Sequence, residues 1–544
     1  MLYCKIFYNR FINDSRDIQF IQENVLLKLI KRNKNTIYGK DYDFDKIKSI
    51  NDYSRLVPII EYKNILKYID ILKKGGNSVL TTDNVLRFVP TSGTSAATKF
   101  IPFNDSLQKD FSTALFTWLY DLYNNIPSIK KGRFFWVISP VVNYKNGNSK
   151  IPIEFAKDSS YFGKIGELFI EKIMAVPDFL SEIQNIDNYY YLLSWFLLKD
   201  DDLTLISLWN PSLLTIILEK ILYYRNDLIE DIRNGTISLP NQSDRQILRK
   251  AEKYANKNIQ RANDLNGMIA KESELKSANW ELVWPNLKLI SVWEDAWASG
   301  TFKELQEFFP TILFQGKGLL MTEGVISIPL FDTQTNSSKT VLTSNIHFYE
   351  FIDIKTQKVF LAHQLKAGCE YEVIITTSGG LYRYKTFDII RFERYFKKHI
   401  HIKFIGKSNI VSDIRGEKLN VLHIDRILKQ IINFPANGVC FLAPVIQNND
   451  VFYILFIENN IKTNIPEQEL VEKLDLLLQE NFHYKNCRAL KQLSKPEIFF
   501  MDKKAVQLYN EFTGTNKQIS TIKNLSLITN PAISTLLLNQ NQSK

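Results

Sequence analysis

The chain has 544 residues, is 45% apolar, 13% aromatic and 23% charged, and carries a formal net charge of +10. These values exclude a disordered chain, and the length excludes a single hydrophobic core. Basic and acidic residues are scattered without the dense basic tract of a nucleic-acid-binding arm, so we expect a globular protein of two or more domains.

The N-terminal segment predicts neither export nor membrane insertion. Residues 1–20 contain no apolar core long enough for a signal peptide. The four cysteines form no CxxC pair, so they are expected to be incidental thiols of a reducing compartment. We therefore expect a cytoplasmic protein, a monomer, with no nucleic-acid or membrane partner.

The first segment with unusual chemistry is residues 91–99, TSGTSAATK, which contains five hydroxyls, one glycine and a lysine. The hydroxyls and backbone N–H groups of such a loop can surround phosphate oxygens while Lys99 supplies positive charge. It is not a Walker loop, because Thr98 replaces the second glycine and Phe100 replaces the hydroxyl residue after the lysine. Considered alone, the segment is better explained as a Ser/Thr-rich surface turn.

Strand and helix patterns alternate along the chain, which predicts an α/β architecture. The stretch 203–218 is shorter than the roughly 20 residues of a membrane-spanning helix and is interrupted by proline, so it predicts a buried strand and a helix that begins at Pro211. A largely exposed helix is predicted at 243–265 and an amphipathic helix at 466–482. Buried strands are predicted at 134–140, 203–209, 287–293, 371–377 and 451–458.

Two later segments place acids and hydroxyls among apolar residues. Residues 315–329, QGKGLLMTEGVISIP, contain Thr322, suited to an α-phosphate, and Glu323, suited to Mg²⁺. Residues 375–392, ITTSGGLYRYKTFDIIRF, leave a strand through two glycines and reach Asp388, whose carboxylate suits a ribose diol. Each acid alone is also explained as a solvated loop residue or a cap, but the three segments in this order favour a nucleotide site.

A domain boundary is predicted near residues 405–416, where glycines and charges separate a strand from a new helix. We expect a large N-terminal domain at 1–405, a hinge at 406–416 and a small lid domain at 417–544.

Other residue types indicate no further site. None of the six histidines has a carboxylate at metal-ligand spacing, so packing or surface roles are expected. Trp293, Trp297 and Tyr382 are candidates for an aromatic pocket, although core positions are the commoner outcome for such residues.

The order TSGTSxxxK, TEG, LYRY followed by Asp388, and GEKLN resembles the Gretchen Hagen family of acyl acid amido synthetases. These are plant enzymes that conjugate auxin, jasmonate or benzoates to amino acids, together with bacterial relatives. The resemblance covers most of the chain: residues 35–70 look like the family's N-terminal signature, and residues 209–214 and 314–330 look closer to its bacterial branch. It implies the α/β fold of acyl-adenylate-forming enzymes, with a large N-terminal domain and a small C-terminal α+β lid.

The resemblance also implies a reaction and its residues. ATP and a carboxylic acid give an acyl-adenylate and pyrophosphate, with Mg²⁺ bound, and the amine of an amino acid then forms an amide and AMP. Thr322 and Lys418 are assigned to catalysis and Glu323 to Mg²⁺, with Lys517 and Lys523 as candidates for a later assisting lysine. The implied nucleotide-binding residues are Ser92, Gly93, Thr94, Ser95, Lys99, Thr322, Glu323, Tyr384, Asp388, Lys407 and Lys418.

Several positions depart from the family pattern. Ala96 replaces a glycine of the phosphate loop, and Leu319 replaces a tyrosine that plant members place near the adenine. The family's Arg-x-Gly-Asp is here Lys385-Thr386-Phe387-Asp388, and Phe387 replaces a glycine expected to provide backbone freedom or close approach. Val421 stands where an acid is expected.

Two alternatives stay open. An acyl-CoA ligase would share the activation step and transfer the acyl group to a thiol, but no typical pantetheine-tunnel or closing motif is present. A non-catalytic nucleotide-binding relative would explain Phe387 and Val421. The retained Lys99, Glu323 and Asp388 oppose it, because carboxylates in apolar loops are costly to keep without a use.

Overall fold

The computed structural model of the chain divides into two compact units. The N-terminal unit comprises residues 1–294, 305–386 and 390–404, and the C-terminal unit comprises residues 295–304, 387–389 and 405–544. The structure describes every residue except 1, 15–16, 92–98, 137–148, 154–171, 210, 270–274, 276, 296–298, 434–437, 448–449, 490–491, 514–524 and 542–544.

The α-helices of the described ranges are mostly short and lie in both units. In chain order they are α1 (Leu2–Asp14), α2 (Ile18–Asn33), α3 (Ile37–Asp41), α4 (Ile50–Leu56), α5 (Tyr62–Lys73), α6 (Asp105–Asn125), α7 (Ile186–Leu198), α8 (Pro211–Tyr223), α9 (Arg225–Asn234), α10 (Arg245–Glu252), α11 (Ile259–Met268), α12 (Trp280–Val283), α13 (Ser299–Phe308), α14 (Val421–Ile431), α15 (Glu467–Leu478), α16 (Phe482–Ala489), α17 (Lys503–Thr513) and α18 (Ala532–Asn541).

The strands of the described ranges form several sheets. In chain order they are β1 (Val85–Thr91), β2 (Lys99–Asn104), β3 (Arg133–Trp136), β4 (Leu203–Ser207), β5 (Leu289–Val292), β6 (Leu313–Gly316), β7 (Leu320–Met321), β8 (Gly324–Val325), β9 (Ser327–Asp332), β10 (Ser337–Leu342), β11 (Phe348–Asp353), β12 (Val359–Leu361), β13 (Glu370–Thr376), β14 (Tyr384–Phe396), β15 (His399–Lys407), β16 (Val411–Ser412), β17 (Leu419–Asn420), β18 (Ile432–Asn433), β19 (Cys440–Gln447), β20 (Asp450–Glu458), β21 (Lys462–Thr463) and β22 (Glu497–Met501).

Two larger sheets organise the N-terminal unit. The four strands β3-β4-β5-β6 pair in parallel and in chain order, with helices in the connections between them. Every residue of β4 and β5 is buried, which is why these strands are continuously apolar or hydroxylated in sequence. The second sheet has seven strands in the order β12-β11-β13-β14-β15-β10-β9. Helices α2 and α5 pack their apolar faces in its core, through residues such as Leu26 and Ile65.

The C-terminal unit is built on the three-stranded sheet β19-β20-β22, which has helices on both faces. Adjacent residues of a strand point to opposite faces. Leu442 and Leu455 accordingly share one core with α14 and α15, and Phe441 and Phe456 share the other core with α17 and α18. This is the α+β architecture predicted for the C-terminal part.

The predicted strands at 203–209, 287–293, 371–377 and 451–458 are present as β4, β5, β13 and β20, and α8 begins at Pro211 as predicted. Among the described residues, no helix is long and apolar enough to span a membrane. The strand predicted at 134–140 is seen as β3, and its residues 137–140 lie outside the described ranges.

The single helix predicted at 243–265 is wrong, because the chain forms α10 and α11 with a break between them. Asn258 ends the break and caps α11 by accepting a hydrogen bond from the Arg261 N–H at 3.1 Å. The break passes directly over the end of α9, where Gly235 has φ +69°. A Cβ on Gly235 would lie 2.6 Å from the Lys257 nitrogen, so a long-range contact decides where the helix is interrupted.

Candidate functional site

The predicted phosphate loop is anchored by a hairpin. Ser92, Gly93, Thr94 and Ser95 lie outside the described residues, and Lys99 is the half-buried first residue of β2. Thr91 of β1 pairs directly with Lys99, so the two ends of the loop are held one strand spacing apart. The hydroxyl of Tyr62 accepts a hydrogen bond from the Phe100 N–H at 2.7 Å, which ties the hairpin to α5.

Thr322 and Glu323 form the two-residue turn between β7 and β8, with Met321 paired to Gly324. The Thr322 side chain is half-buried, and Glu323 is buried with 8% of its surface exposed. A carboxylate in a tight turn presents hard oxygen ligands at a fixed position, which suits a small divalent cation.

The base of this turn is held by close packing. Gly318 permits it, because a Cβ there would lie 2.0 Å from the Ser327 carbonyl oxygen. The Ser327 hydroxyl in turn accepts a hydrogen bond from the Leu319 N–H at 2.8 Å. Leu319, which departs from the plant family pattern, is buried at this base.

Asp388 and Lys407, both predicted to bind nucleotide, meet within the C-terminal unit. The Lys407 Nζ lies 2.7 Å from the Asp388 Oδ1, and the Asp388 side chain is buried. The Phe387 carbonyl accepts a hydrogen bond from the Ser408 N–H at 2.8 Å, which aligns the two segments. Phe387 has φ +64°, the left-handed region that favours glycine, so the family's glycine at this position has a backbone reason.

The segment LYRY lies in the core of the N-terminal unit. Arg383 is 6% exposed and pairs through two hydrogen bonds of 2.8 Å with Glu350, which is 1% exposed. Tyr384, predicted to bind nucleotide, is 1% exposed. Neither Glu350 nor its pairing with Arg383 was predicted, because the two residues are 33 positions apart in the sequence and β13 lies between β11 and β14 in the sheet.

The aromatic candidates have different environments. Tyr382 is fully buried and donates a hydrogen bond to the Leu80 carbonyl at 2.8 Å, which makes it a core residue. Trp293 is half-buried with its ring edge against Phe404. Trp297 lies outside the described residues.

Lys418 occupies an exposed turn of the C-terminal unit with φ +46°. The neighbouring Glu417 is fully buried, accepts the backbone N–H groups of Ile414 and Arg415, and accepts the Tyr453 hydroxyl. Burial and this carboxylate raise the pKa of Tyr453 above its usual range. The buried glutamate therefore shapes the turn that displays the lysine.

Two other residues singled out in the C-terminal part have different positions. Val421, which replaces an expected acid, begins α14 with its side chain in the core. Lys517 and Lys523 lie outside the described residues.

The carboxyl ends of the parallel strands carry a row of polar and aromatic side chains. Trp136, Ser207, Ser291 and Gln315 stand at equivalent register positions on the four strands. Gln315 accepts a hydrogen bond from the Trp118 indole at 2.8 Å. The carboxyl edge of an open parallel sheet is the usual place for a ligand.

Lys317 follows directly after this row and was not predicted. It is 8% exposed, and its Nζ donates a hydrogen bond to the Ser207 hydroxyl at 2.7 Å. The same ammonium lies 4.7 Å from the ring centre of Trp209, 5.0 Å from that of Trp136 and 5.7 Å from that of Trp118. A cation among indoles suits a carboxylate with an apolar body. The feature of the sequence that could have indicated Lys317 is the position of a lysine between two glycines in an otherwise apolar segment.

The sequence is similar to one protein family along most of its length. The sequence matches the GH3 family N-terminal domain over residues 7–313, the central domain over 340–407 and the C-terminal domain over 423–532. The indole-3-acetic acid-amido synthetase GH3.2 of Arabidopsis thaliana is 24% identical over 457 residues, covering 77% of this chain and 80% of that protein. The synthetase GH3.3 of the same plant is 22% identical over 503 residues, covering 87% and 83%.

Solved structures share the fold. The AtGH3.15 acyl acid amido synthetase in complex with 2,4-DB matches with a TM-score of 0.81 at 17% identity, over 98% of this chain and 95% of that chain. A second structure of a GH3.15 acyl acid amido synthetase matches with a TM-score of 0.77 over 96% and 94%. The fold class predicted from the sequence is confirmed.

Proposed function

Because the chain belongs to the GH3 family, we propose that it is an ATP-dependent acyl acid amido synthetase, an AMP-forming ligase that makes carbon–nitrogen bonds. The match of all three family domains in their order along the chain carries this proposal. The retained Glu323 and the Asp388–Lys407 pair support it, because these groups stand at positions that the resemblance assigns to nucleotide and metal.

The reaction has two steps. A carboxylate oxygen of the acid attacks the α-phosphorus of ATP, the bond from that phosphorus to the bridging oxygen breaks, and pyrophosphate leaves. An amino acid's nitrogen then attacks the acyl carbon, the bond to the AMP oxygen breaks, and the nitrogen loses a proton. Fixed donors at the α-phosphate lower the barrier of the first step, because preorganised electrostatics is usually the largest catalytic contribution.

The chain's residues fit these tasks. We assign Ser92, Gly93, Thr94, Ser95 and Lys99 to the β- and γ-phosphates on the resemblance alone. Lys99 can neutralise phosphate charge from its paired position at the start of β2.

Thr322 is assigned to the α-phosphate, as a hydroxyl donor on the same turn as the metal ligand. Asp388 is assigned to the ribose, with Lys407 balancing its charge. On the resemblance alone, Lys418 and Tyr384 are also assigned to the nucleotide.

A magnesium ion fits Glu323. Mg²⁺ is usually held by one or two carboxylates together with substrate phosphates, and a buried glutamate beside a hydroxyl supplies such a partial set. When bound, the ion would neutralise the charge of the departing pyrophosphate.

We place the acid at the carboxyl edge of the parallel sheet, with its carboxylate toward Lys317. The three indoles around the ammonium would then form apolar walls for the body of the acid. This placement depends on the row of side chains at the strand ends and on the buried lysine above it.

We also propose that residues 417–544 act as a lid that turns about the hinge at 406–416. Gly416, with φ +97°, provides a backbone position that other residues rarely adopt. A crosslink across the hinge should slow adenylation and transfer unequally. Equal slowing of both steps would contradict the lid.

The test is pyrophosphate release from ATP and Mg²⁺ with a panel of carboxylic acids, followed by mass spectrometry of products formed with pooled amino acids. Acid-dependent release and an amide mass would establish the activity and identify both substrates. A thioester mass that requires coenzyme A would instead establish the acyl-CoA ligase. Absence of release together with absence of ATP binding would favour the non-catalytic relative.

A further inference from the structure

The backbone just after the Thr322–Glu323 turn is held by a histidine. The Val325 N–H donates a hydrogen bond to the Nε2 of His347 at 3.2 Å. His347 is fully buried and comes from the segment before β11. Gly324 allows the ring to approach, because a Cβ there would lie 2.8 Å from the same Nε2.

The protonation state of His347 is set by its surroundings. Burial lowers its pKa to about 3, so the imidazole is neutral at physiological pH. Since Nε2 accepts a hydrogen bond, the single ring proton is on Nδ1. That nitrogen faces the Asp110 Oδ2 at 3.6 Å, and the same carboxylate oxygen accepts the Ser378 hydroxyl at 2.5 Å. The hydrogen bond from the Val325 N–H therefore sets the tautomer in which Nε2 accepts, because Asp110 at 3.6 Å is beyond hydrogen-bond distance of Nδ1.

The carbonyl of Val325 is also held by hydrogen bonds. The Val325 oxygen accepts the Tyr349 hydroxyl at 2.7 Å and the Thr343 hydroxyl at 2.6 Å. The hairpin β7–β8 has only two residues in each strand, and so short a ladder orients a turn weakly. The orientation of the turn therefore depends on side chains that reach it from elsewhere in the fold.

We propose that His347 is a positioning residue for the metal ligand, fixing the backbone of the turn so that the Glu323 carboxylate is held ready for a divalent cation. The inference rests on the proposed function only in its assignment of the metal to Glu323. Side chains that orient a metal ligand commonly change metal affinity about 10- to 100-fold when they are removed.

The experiment compares metal-dependent nucleotide binding by four full-length proteins. Binding of α,β-methylene-ATP, which cannot release pyrophosphate, is measured with Mn²⁺ by proton relaxation and with EDTA by calorimetry. His347→Phe keeps the ring but removes the acceptor, and His347→Gln keeps an acceptor close to the place of Nε2. The matched control is His399→Phe, which changes another buried histidine of the N-terminal unit, stacked on Phe11.

We expect His347→Phe to weaken binding about 10-fold or more with Mn²⁺ and to leave binding in EDTA unchanged. His347→Gln should recover most of the loss, and His399→Phe should match the wild type. If His347→Phe fails to fold, Gly324→Ala provides the same test, because its methyl group displaces the ring.

Three results would overturn the inference. The first is that His347→Phe binds the nucleotide with Mn²⁺ as tightly as the wild type does. The second is that nucleotide binding by His347→Phe is weakened equally with Mn²⁺ and with EDTA. The third is that nucleotide binding by the wild-type protein does not depend on metal. Failure of the proposed function gives a different result, in which no acid elicits pyrophosphate release while metal-dependent nucleotide binding persists.

Discussion

Replacing Glu350 by glutamine should destabilise the N-terminal unit, because it leaves the Arg383 guanidinium in the core without a counter-charge. The arginine donates two hydrogen bonds of 2.8 Å to the carboxylate, and its other amino group donates to the carbonyls of Ser54 at 2.9 Å and Val57 at 2.7 Å. Breaking a buried pair from one side typically costs about 3–5 kcal/mol. We expect Glu350→Gln to lower the free energy of unfolding by that amount.

The double variant provides the sharper comparison. Arg383→Met alone leaves an unpaired carboxylate and two carbonyls without donors, whereas Arg383→Met with Glu350→Met leaves only the carbonyls, at about 1–3 kcal/mol each. The double variant should therefore be more stable than Arg383→Met alone. Burial already raises the pKa of Glu350, so lowering the pH should protonate the lone carboxylate and partly restore Arg383→Met.

Urea unfolding followed by tryptophan fluorescence suits this test, since seven of the chain's eight tryptophans lie in the described part of the N-terminal unit. Glu230→Gln is the matched control, because its pair with Arg233 spans 3.5 Å and its side chain is 64% exposed. An exposed pair contributes about 0–1 kcal/mol. The reasoning is refuted if Glu350→Gln is no more destabilising than Glu230→Gln, or if the double variant is no more stable than Arg383→Met alone.

Four further predictions follow from the sites. Phe387→Gly should be more stable than Phe387→Ala by about 1 kcal/mol, because both lose the ring and only glycine escapes the left-handed strain; equal urea midpoints would contradict this. Burial raises the pKa of Asp110 to about 7, whereas an aspartate of the unfolded chain has a pKa of about 4. Between these two values the folded chain therefore keeps a proton on Asp110 that the unfolded chain has lost. That contribution to stability is complete below pH 4 and is lost as the pH rises to 7, so Asp110→Asn should flatten the pH dependence of unfolding over this range. Lys317→Met should raise the KM for the acid at least about 10-fold without changing that for ATP, whereas Lys250→Met on the surface should change neither. Glu323→Gln should abolish Mg²⁺-dependent pyrophosphate release while circular dichroism stays that of the wild type, and retained release would exclude it as the metal ligand.

Much of the fold was predictable because its signals are local. The strands at 203–207 and 451–458 are continuous apolar runs that no amphipathic helix would show, and Pro211 marks the start of α8. The break between α10 and α11 was not predictable, since it depends on the approach of residue 257 to Gly235, which caps the end of α9.

The candidate site likewise contains some residues that the sequence could predict and others that it could not. The motif spacing and the resemblance named Asp388 and Lys407, and the structure brings their side chains together. The sequence did not predict the roles of His347, Lys317 and the Glu350–Arg383 pair, because each of them contacts partners that are distant in the sequence. A lone histidine or lysine in sequence does not show which backbone group or ring it will meet.

The composition of the C-terminal unit restricts how such enzymes can be recombined. Its sheet has two cores of its own, yet the unit also includes Phe387–Ile389, and Ser408 pairs with the first of these residues. A chimera joined at residue 405 would take the aspartate partner of Lys407 from the other parent, on a backbone that by the family pattern has glycine in place of Phe387. Crossover points for gene shuffling in this family should therefore lie before Phe387, so that Asp388 and Lys407 are inherited from the same parent.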